Sequence, residues 1–464
     1  MTTVEHSPAG AAAPVSWPGF SAKLAAAPYR LHIGHTVEVT GSGFAAGATV
    51  GVFWHSVEGR YELDGQTEFV GQRYEPVAAL IAADVASATG EIRVSFQIPD
   101  DFGGPHDIRA RVDGVEVAQT GVMVLPRWSM APTSGPLGTL VELRVEGVDI
   151  RPALNTWQVL WDNRYFGAMT AVTTDGVATA RFRAAGPVGR HYIQAWNNSY
   201  NSAPYLAWDT SPFRDEFESG VQFVFEVTED AGAPLAQVDD FSLTDRPWDP
   251  GIETSGRLWL SRDRGTVGEP TTLFGAHLPA NAALELFWTA ARGDRVTKAG
   301  ISHLSLPFGT VRTGSDGGFE HAFAIPDDLG GNHFIEVRQG EKLLARTGLV
   351  ILPSAVSCTE RARAGDRVDI HVKGLSWSTI DNTYTVTYDN AFMGYVCGFS
   401  TFGDVKFSLT ATGGPGTHLV DLYPTIYKGK DETPKVYSVP QLTYADDHPQ
   451  RRTPAIRFSF EVTE

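Results

Sequence analysis

Ile98-Pro99-Asp100-Asp101-Phe102-Gly103-Gly104-Pro105-His106 returns as Ile325-Pro326-Asp327-Asp328-Leu329-Gly330-Gly331-Asn332-His333, a shift of 227 residues (325 − 98). The same shift carries Gly121 to Gly348, Gly138 to Gly365, Asp162-Asn163 to Asp389-Asn390, and His191 to His418. Phe223-Val-Phe-Glu-Val-Thr-Glu229 closes one half and Phe458-Ser-Phe-Glu-Val-Thr-Glu464 the other. A constant shift over so many landmarks means a duplicated module, so the fold has to be one that can be repeated. Almost every residue then belongs to a scaffold, which leaves little room for an enzyme.

Each half divides again. Gly34 through Trp54 lies on Gly268 through Trp288 without a gap. A looser copy follows in each half, opening in the first at Ala131-Pro132-Thr133-Ser134-Gly135. Four units of about 100 residues result, in the order A-B-A-B, which suits the usual size of a domain. Their signals are strands: Val37 and Val39, then Val141, Leu143 and Val145, then Leu273, then Val368, Ile370 and Val372 alternate with polar residues after a glycine. Period two is the mark of a half-buried strand. The next strand ends in an aromatic residue: Trp54, Trp161, Trp288 or Tyr388. A later one follows Gly-x-His, with His106, His191, His333 and His418 each two residues before Ile108, Ile193, Ile335 or Val420. No 3.6-residue apolar stripe of comparable length competes, and turn residues recur every 8–12 positions. The chain is expected to be all-β: four tandem antiparallel β-sandwiches as two copies of a two-domain module.

That order of an alternating strand, a core Trp and a Gly-x-ring-x-aliphatic strand resembles the immunoglobulin superfamily. The four histidines take the place of its conserved Tyr, and Ile or Val that of its core Cys. Val39-Thr-Gly-Ser-Gly-Phe44, Ala131-Pro-Thr-Ser-Gly135 and the Gly-x-His turns resemble bacterial immunoglobulin-like repeats of the IPT/TIG type. The resemblance covers about residues 22–464. It implies surface, adhesive or enzyme-accessory roles and an extracellular or cell-surface setting, although the sequence carries no export signal or anchor to match. The boundaries read as a disordered lead-in at 1–21, domains at 22–127 and 128–229, a flexible acidic linker at 230–256, and domains at 257–353 and 354–464.

The formal charge of −17 argues against nucleic acid, whose binders need a basic footprint. No run of eighteen apolar residues exists, so no membrane insertion is expected. Two cysteines, Cys358 and Cys397, exclude a disulfide framework; paired and free remain equally open.

The candidate chemistry yields to structural readings. Each Gly-x-His histidine shares its face with the following Ile or Val, so it points inward and serves a turn. Asp162-Asn163 and Asp389-Asn390 read as hairpin turns, with Asp162 expected on the sheet face opposite His191. Asp100-Asp101 and Asp327-Asp328 read as turns rather than calcium ligands, because no alternating run of oxygen ligands accompanies them. No catalytic residue, metal site or cofactor is expected. Trp54, Trp161 and Trp288 should be buried, whereas Phe53 and Phe287 point outward and need a cover, either an insertion or a partner domain.

Binding is expected on the long loops of the B-type units, 197–220 and 423–455, whose Tyr, Trp, Asn and Ser suit binding loops on a sandwich. The candidate residues are Tyr200, Tyr205, Trp208, Tyr427 and Tyr437. The competing reading is that these loops fold down as domain cover. The expected function is a non-catalytic structural or binding protein that engages a polymeric protein or polysaccharide. The alternative is a carbohydrate-binding or accessory component of an enzyme system.

Overall fold

The computed structural model describes the chain except residues 1, 5–18, 65–67, 153, 199–202, 208–209, 211–219, 240–253, 295–299, 376–382, 400, 429–434, 438 and 450–452. Among the described residues the regular elements are strands. They form two compact units. Unit 1 holds Met1–Leu63, Val70–Glu229 and Gln441–Arg451; unit 2 holds Asp64–Phe69, Asp230–Pro440 and Arg452–Glu464.

In unit 1 a three-stranded sheet (Lys23–Ala27, Thr36–Ser42, Glu91–Gln97) accompanies a five-stranded one, ordered Arg30–Leu31, Val115–Val124, Gly104–Val112, Thr49–Asp64, Glu68–Val85. Alternation produces this directly: in Glu91–Gln97, Ile92, Val94 and Phe96 are buried and their neighbours exposed. The enclosed core runs from Ala22 to Val124 around Trp54. A second pair follows. Thr2–Val4, Arg127–Ala131, Leu140–Glu146 and Val177–Arg183 form one sheet. The other is ordered Ser134–Gly135, Val221–Val227, Gly189–Asn198, Thr156–Trp161, Arg164–Met169. Trp128, Trp157, Trp161, Phe166, Phe182 and Phe225 are buried here. Thr2–Val4 lie within the stretch expected to be disordered, yet they pair with Arg127–Ala131 as an edge strand.

Unit 2 repeats the pattern. Arg257–Leu260, Pro270–Ala276 and Phe319–Ala324 form one sheet, and Arg264–Thr266, Lys342–Leu352, Gly331–Gln339, Ala283–Asp294 and Gly300–Arg312 another. They enclose a core around Trp288. Ser354–Cys358, Arg367–Lys373 and Val405–Thr410 form the next sheet. The last is ordered Ala236–Val238, Ile456–Thr463, Gly416–Lys428, Thr383–Tyr388, Ala391–Cys397. Their core is built around Tyr384, Tyr388 and Phe458. The chain is therefore an all-β sandwich protein. In all four stretches a short strand pairs in parallel with the closing strand of the larger sheet, as Arg30–Leu31 does with Val115–Val124 and Arg361–Arg363 with Ile456–Thr463.

The segment read as a flexible linker is partly built into unit 2. Ala236–Val238 extend the last sheet. Asp239 takes a two-pronged ion pair from Arg457, 2.7 and 3.0 Å, and the other face of that buried guanidinium meets Asp421 at 3.0 Å. Asp230 accepts from the Thr417 amide. Asp239, which looks like part of a solvated spacer, is thus a counter-charge of a buried arginine.

Candidate functional site

The repeated histidines serve the scaffold. The His106 ring stacks on Trp54, 4.4 Å between centroids, and its nitrogens face the carbonyls of His55 and Phe102 at 3.0 and 2.9 Å. His333 repeats this on Trp288, at 4.6 Å, with the carbonyls of Thr289 and Leu329 at 2.8 and 2.7 Å. Trp54, Trp161 and Trp288 are buried, as their place on the third strand requires. The indole N–H of Trp54 donates to Asp101 at 2.6 Å, and that of Trp288 to Asp328 at 2.9 Å. The second Asp of each repeated motif is therefore the partner that lets a Trp be buried without an orphaned donor.

The glycines of the motif have a separate task. A Cβ on Gly103 would stand 1.9 Å from the Gly147 carbonyl oxygen, and one on Gly330 2.0 Å from that of Gly374. Gly103 N–H donates to the Val148 carbonyl and Gly330 N–H to that of Leu375, both at 2.9 Å. The motif is a backbone-on-backbone joint between the turn at 101–104 or 328–331 and the stretch 147–148 or 374–375 of the same unit. That explains why the phrase returns so faithfully. Among the described residues no cluster of three or more metal-ligating side chains occurs.

One sequence expectation is corrected. Asp162 does not lie on the face opposite His191: its Oδ2 sits 2.6 Å from His191 Nδ1, and Asp389 repeats this with His418 at 2.6 Å. Parity holds only within a strand, and the strand ends at Trp161. Asp162 and Asn163 have φ of 48° and 63°, Asp389 and Asn390 47° and 59°. These are the positive values of a two-residue hairpin turn, which swings the carboxylate back over the neighbouring strand. The other ring nitrogens meet the carbonyls of Pro187 and Gly414 at 2.8 and 2.9 Å. Both nitrogens of each ring thus face acceptors. Burial pulls the pKa of His191 and His418 down, but the hydrogen bonds to the carboxylate and the turn carbonyl, together with the carboxylate charge, outweigh it and both are raised. Burial likewise opposes, and the bonds from His191 and the Tyr192 amide overcome, so that Asp162 is lowered.

Phe53 and Phe287 each carry an arginine over the ring. Arg111 lies 4.2 Å over the Phe53 ring and Arg338 4.9 Å over that of Phe287. Cys358 and Cys397 are not joined by a disulfide and lie on different sheets.

The aromatic loops have unlike environments. Tyr200 and Trp208 lie outside the described residues; Tyr205 is 46% and Leu206 61% exposed. Tyr427 and Tyr437 lie on the paired strands Gly416–Lys428 and Lys435–Tyr437, where Tyr427 faces Val436 and Ile426 faces Tyr437. The end of the second loop is different. Residues 441–451 belong to unit 1, where Gln441, Leu442, Thr443, Tyr444 and Asp447 are fully buried. This strap lies between two sheet edges. Leu442 N–H donates to the Ala168 carbonyl at 2.8 Å, and the Leu442 carbonyl accepts from Arg181 N–H at 3.3 Å. Asp447 accepts from Tyr61 Oη, Val172 N–H, Thr173 N–H and Thr173 Oγ1 at 2.9, 3.0, 2.9 and 2.8 Å. Arg181 pairs with Asp446 at 2.8 Å. For this part of the loop, cover is the observed role. The sequence analysis placed no weight on Asp447 or Thr443, whose partners lie more than 270 positions away.

No family model matches the chain, and no curated protein matches it. Among solved structures it is similar to a Salmonella alpha-2-macroglobulin mutant at 10% identity and TM-score 0.21, covering 98% of this chain and 31% of that one. The chain thus spans about a third of that protein's length. It is similar to an ICAM-5 D1–D4 ectodomain fragment at 13% identity and TM-score 0.19, covering 89% and 96%. A putative membrane-anchored protein from Corynebacterium diphtheriae aligns at 11% identity and TM-score 0.18, covering 95% and 92%.

Proposed function

We propose that this is a non-catalytic structural or binding protein made of four immunoglobulin-like domains of IPT/TIG type, at 22–127, 128–229, 257–353 and 354–464, arranged as two A-B modules. The observation that carries the reading is the use made of the repeated polar side chains. Histidine rings, the Trp-bound aspartates and the hairpin aspartates all spend their hydrogen bonds on neighbouring strands and turns. A general base or nucleophile needs a free hydrogen-bonding position directed at a substrate, and these groups are aimed at the scaffold.

Binding then falls to the apolar and aromatic surface of the B-type domains: the 197–220 loop with Tyr200, Tyr205 and Trp208, and the extended hairpin with Tyr427 and Tyr437. A surface present once per module would engage a repetitive protein or polysaccharide with avidity. The test is a Tyr200/Tyr205/Trp208→Ala variant and a Tyr427/Tyr437→Ala variant, screened on immobilised polysaccharides and polymeric proteins. Each should remain folded and lose part of the binding seen with the parent. Unchanged binding together with a lowered melting temperature in both would establish these residues as domain cover.

A further inference from the structure

The strap has a twin. Ser438-Val-Pro-Gln-Leu-Thr-Tyr444 matches Ser202-Ala-Pro-Tyr-Leu-Ala-Trp208 at a constant offset of 236 (438 − 202), with Ser, Pro and Leu identical and Tyr aligned to Trp. The two copies have opposite fates. Leu442 is 0% exposed between the edge strands Arg164–Met169 and Val177–Arg183, whereas its twin Leu206 is 61% exposed.

The surface that receives the strap has a twin as well. The 227-residue shift carries Arg164–Met169 onto Ala391-Phe-Met-Gly-Tyr-Val396 and 177–183 onto 404–410, which holds the strand Val405–Thr410, and the pairings follow it: Gln158↔Ala168 becomes Thr385↔Tyr395, and Glu142↔Arg181 becomes Asp369↔Ser408. Both strands are again edges of their sheets. Among the described residues no strap lies across them. No residue of Ala391–Cys397 is buried, and only Val405 is in Val405–Thr410. Met393 and Tyr395 are 57% and 53% exposed, where their counterparts Phe166 and Ala168 are fully buried.

We infer that the segment Pro204–Ala207 of one copy docks on the edge strands Ala391–Cys397 and Val405–Thr410 of a second copy, so that the chain self-associates. This rests on the reading of the 197–220 loop as a binding surface and names its partner. The occupied pair shows what fits: a Pro-x-Leu segment whose leucine is buried between two sheet edges and bonds to both backbones. In the second copy the carbonyl of Tyr395 stands for that of Ala168, and the N–H of Ser408 for that of Arg181. Uncovered edge strands with exposed Met and Tyr are natural templates for such an addition. Each chain offers one segment and one open pair of edges, so two copies can exchange segments as a closed reciprocal dimer, or the contact can propagate into a ring or filament.

The test is sedimentation and light scattering of the full chain up to about 1 mM, the weak end of specific affinities. The parent should grow in mass with concentration, to a dimer or beyond. Leu206→Asp and Tyr395→Asp, both at exposed positions, should each be folded monomers by circular dichroism and melting. Mixed one to one they should form a heterodimer and nothing larger, because one retains the edges and the other the segment. A double variant should associate with neither itself nor the parent's oligomers beyond a chance level. A parent that stays monomeric to the top concentration, or a Leu206→Asp chain that assembles like the parent, overturns the inference. The wider binding reading would survive either result, since it is scored on polysaccharides and foreign proteins with a monomeric chain.

Discussion

Replacing Asp447 by Ala tests whether residues 441–451 are a structural part of unit 1. The carboxylate accepts four hydrogen bonds, from Tyr61 Oη, the amides of Val172 and Thr173, and Thr173 Oγ1. Truncation does not orphan all four donors. Tyr61 Oη retains Thr170 Oγ1 at 3.3 Å, and Thr173 is exposed enough to turn to water. Val172 is 1% exposed, and its amide loses its partner in a dry place, a cost of about 1–3 kcal/mol. Losing the charge-assisted bonds adds about 1.5–3 kcal/mol, partly offset because a buried charge no longer has to be desolvated. The sum is about 3 kcal/mol. For a cooperative unit of this size it corresponds to a fall of roughly 6–12 °C in Tm. Asp447→Asn keeps the shape and one acceptor oxygen but turns an NH₂ toward donors, so about half the loss is expected. Urea unfolding followed by tryptophan fluorescence gives the free energy. Amide hydrogen exchange at Val172 and Leu442 locates it. A loss under about 0.5 kcal/mol with unchanged protection at Val172 would refute the claim that the carboxylate holds the strap.

Two further outcomes follow from the repeated joints and hairpins. Gly103→Ala and Gly330→Ala each drive a methyl into a carbonyl oxygen about 2 Å away, so each should cost about 3 kcal/mol or more by overpacking, read as a lower urea midpoint; a midpoint within error of the parent would mean the joint is loose. His191 and His418 have pKa values raised by folding, so their stabilisation is complete below the unfolded value near 6.5 and is lost as pH rises through the higher folded value. Unfolding free energy should therefore drop between about pH 6 and the alkaline side of that folded value, and the drop should shrink in a His191→Gln/His418→Gln variant; an identical pH profile in the variant would sink the assignment.

What was legible in the sequence was whatever obeys a local period. Alternation located the strands, placed Trp54, Trp161 and Trp288 in the core, and turned the Gly-x-His rings inward. It also required a cover for Phe53 and Phe287, but could not say that a guanidinium from the adjoining strand lies over each ring. Parity failed at Asp162, one residue beyond the end of its strand, where a turn with positive φ resets the direction of the side chain. The Gly103 and Gly330 joints were read as turn glycines because their constraint comes from another backbone more than forty residues on. Asp239 looked like part of a solvated linker because its partner, Arg457, lies 218 positions later. Asp447 was invisible for the same reason. The repeat Pro204-x-Leu206 and Pro440-x-Leu442 was present in the loops all along, but only contrasting burial gives it meaning.

The seating of residues 441–451 has a consequence for biosynthesis. Unit 1 otherwise ends at Glu229, and its last piece is translated 212 positions later (441 − 229). At about 5–20 residues per second the ribosome needs roughly 10–40 s to cover that distance. Throughout that interval the strands Arg164–Met169 and Val177–Arg183 are emerged, formed and without their strap, at the stage when unpaired edges of nascent chains find one another. A fragment ending at Glu229 would be trapped permanently in that condition. Nascent-chain arrest at positions before and after 451 should therefore divide protease-sensitive from protease-resistant forms of a unit whose other strands were completed long before.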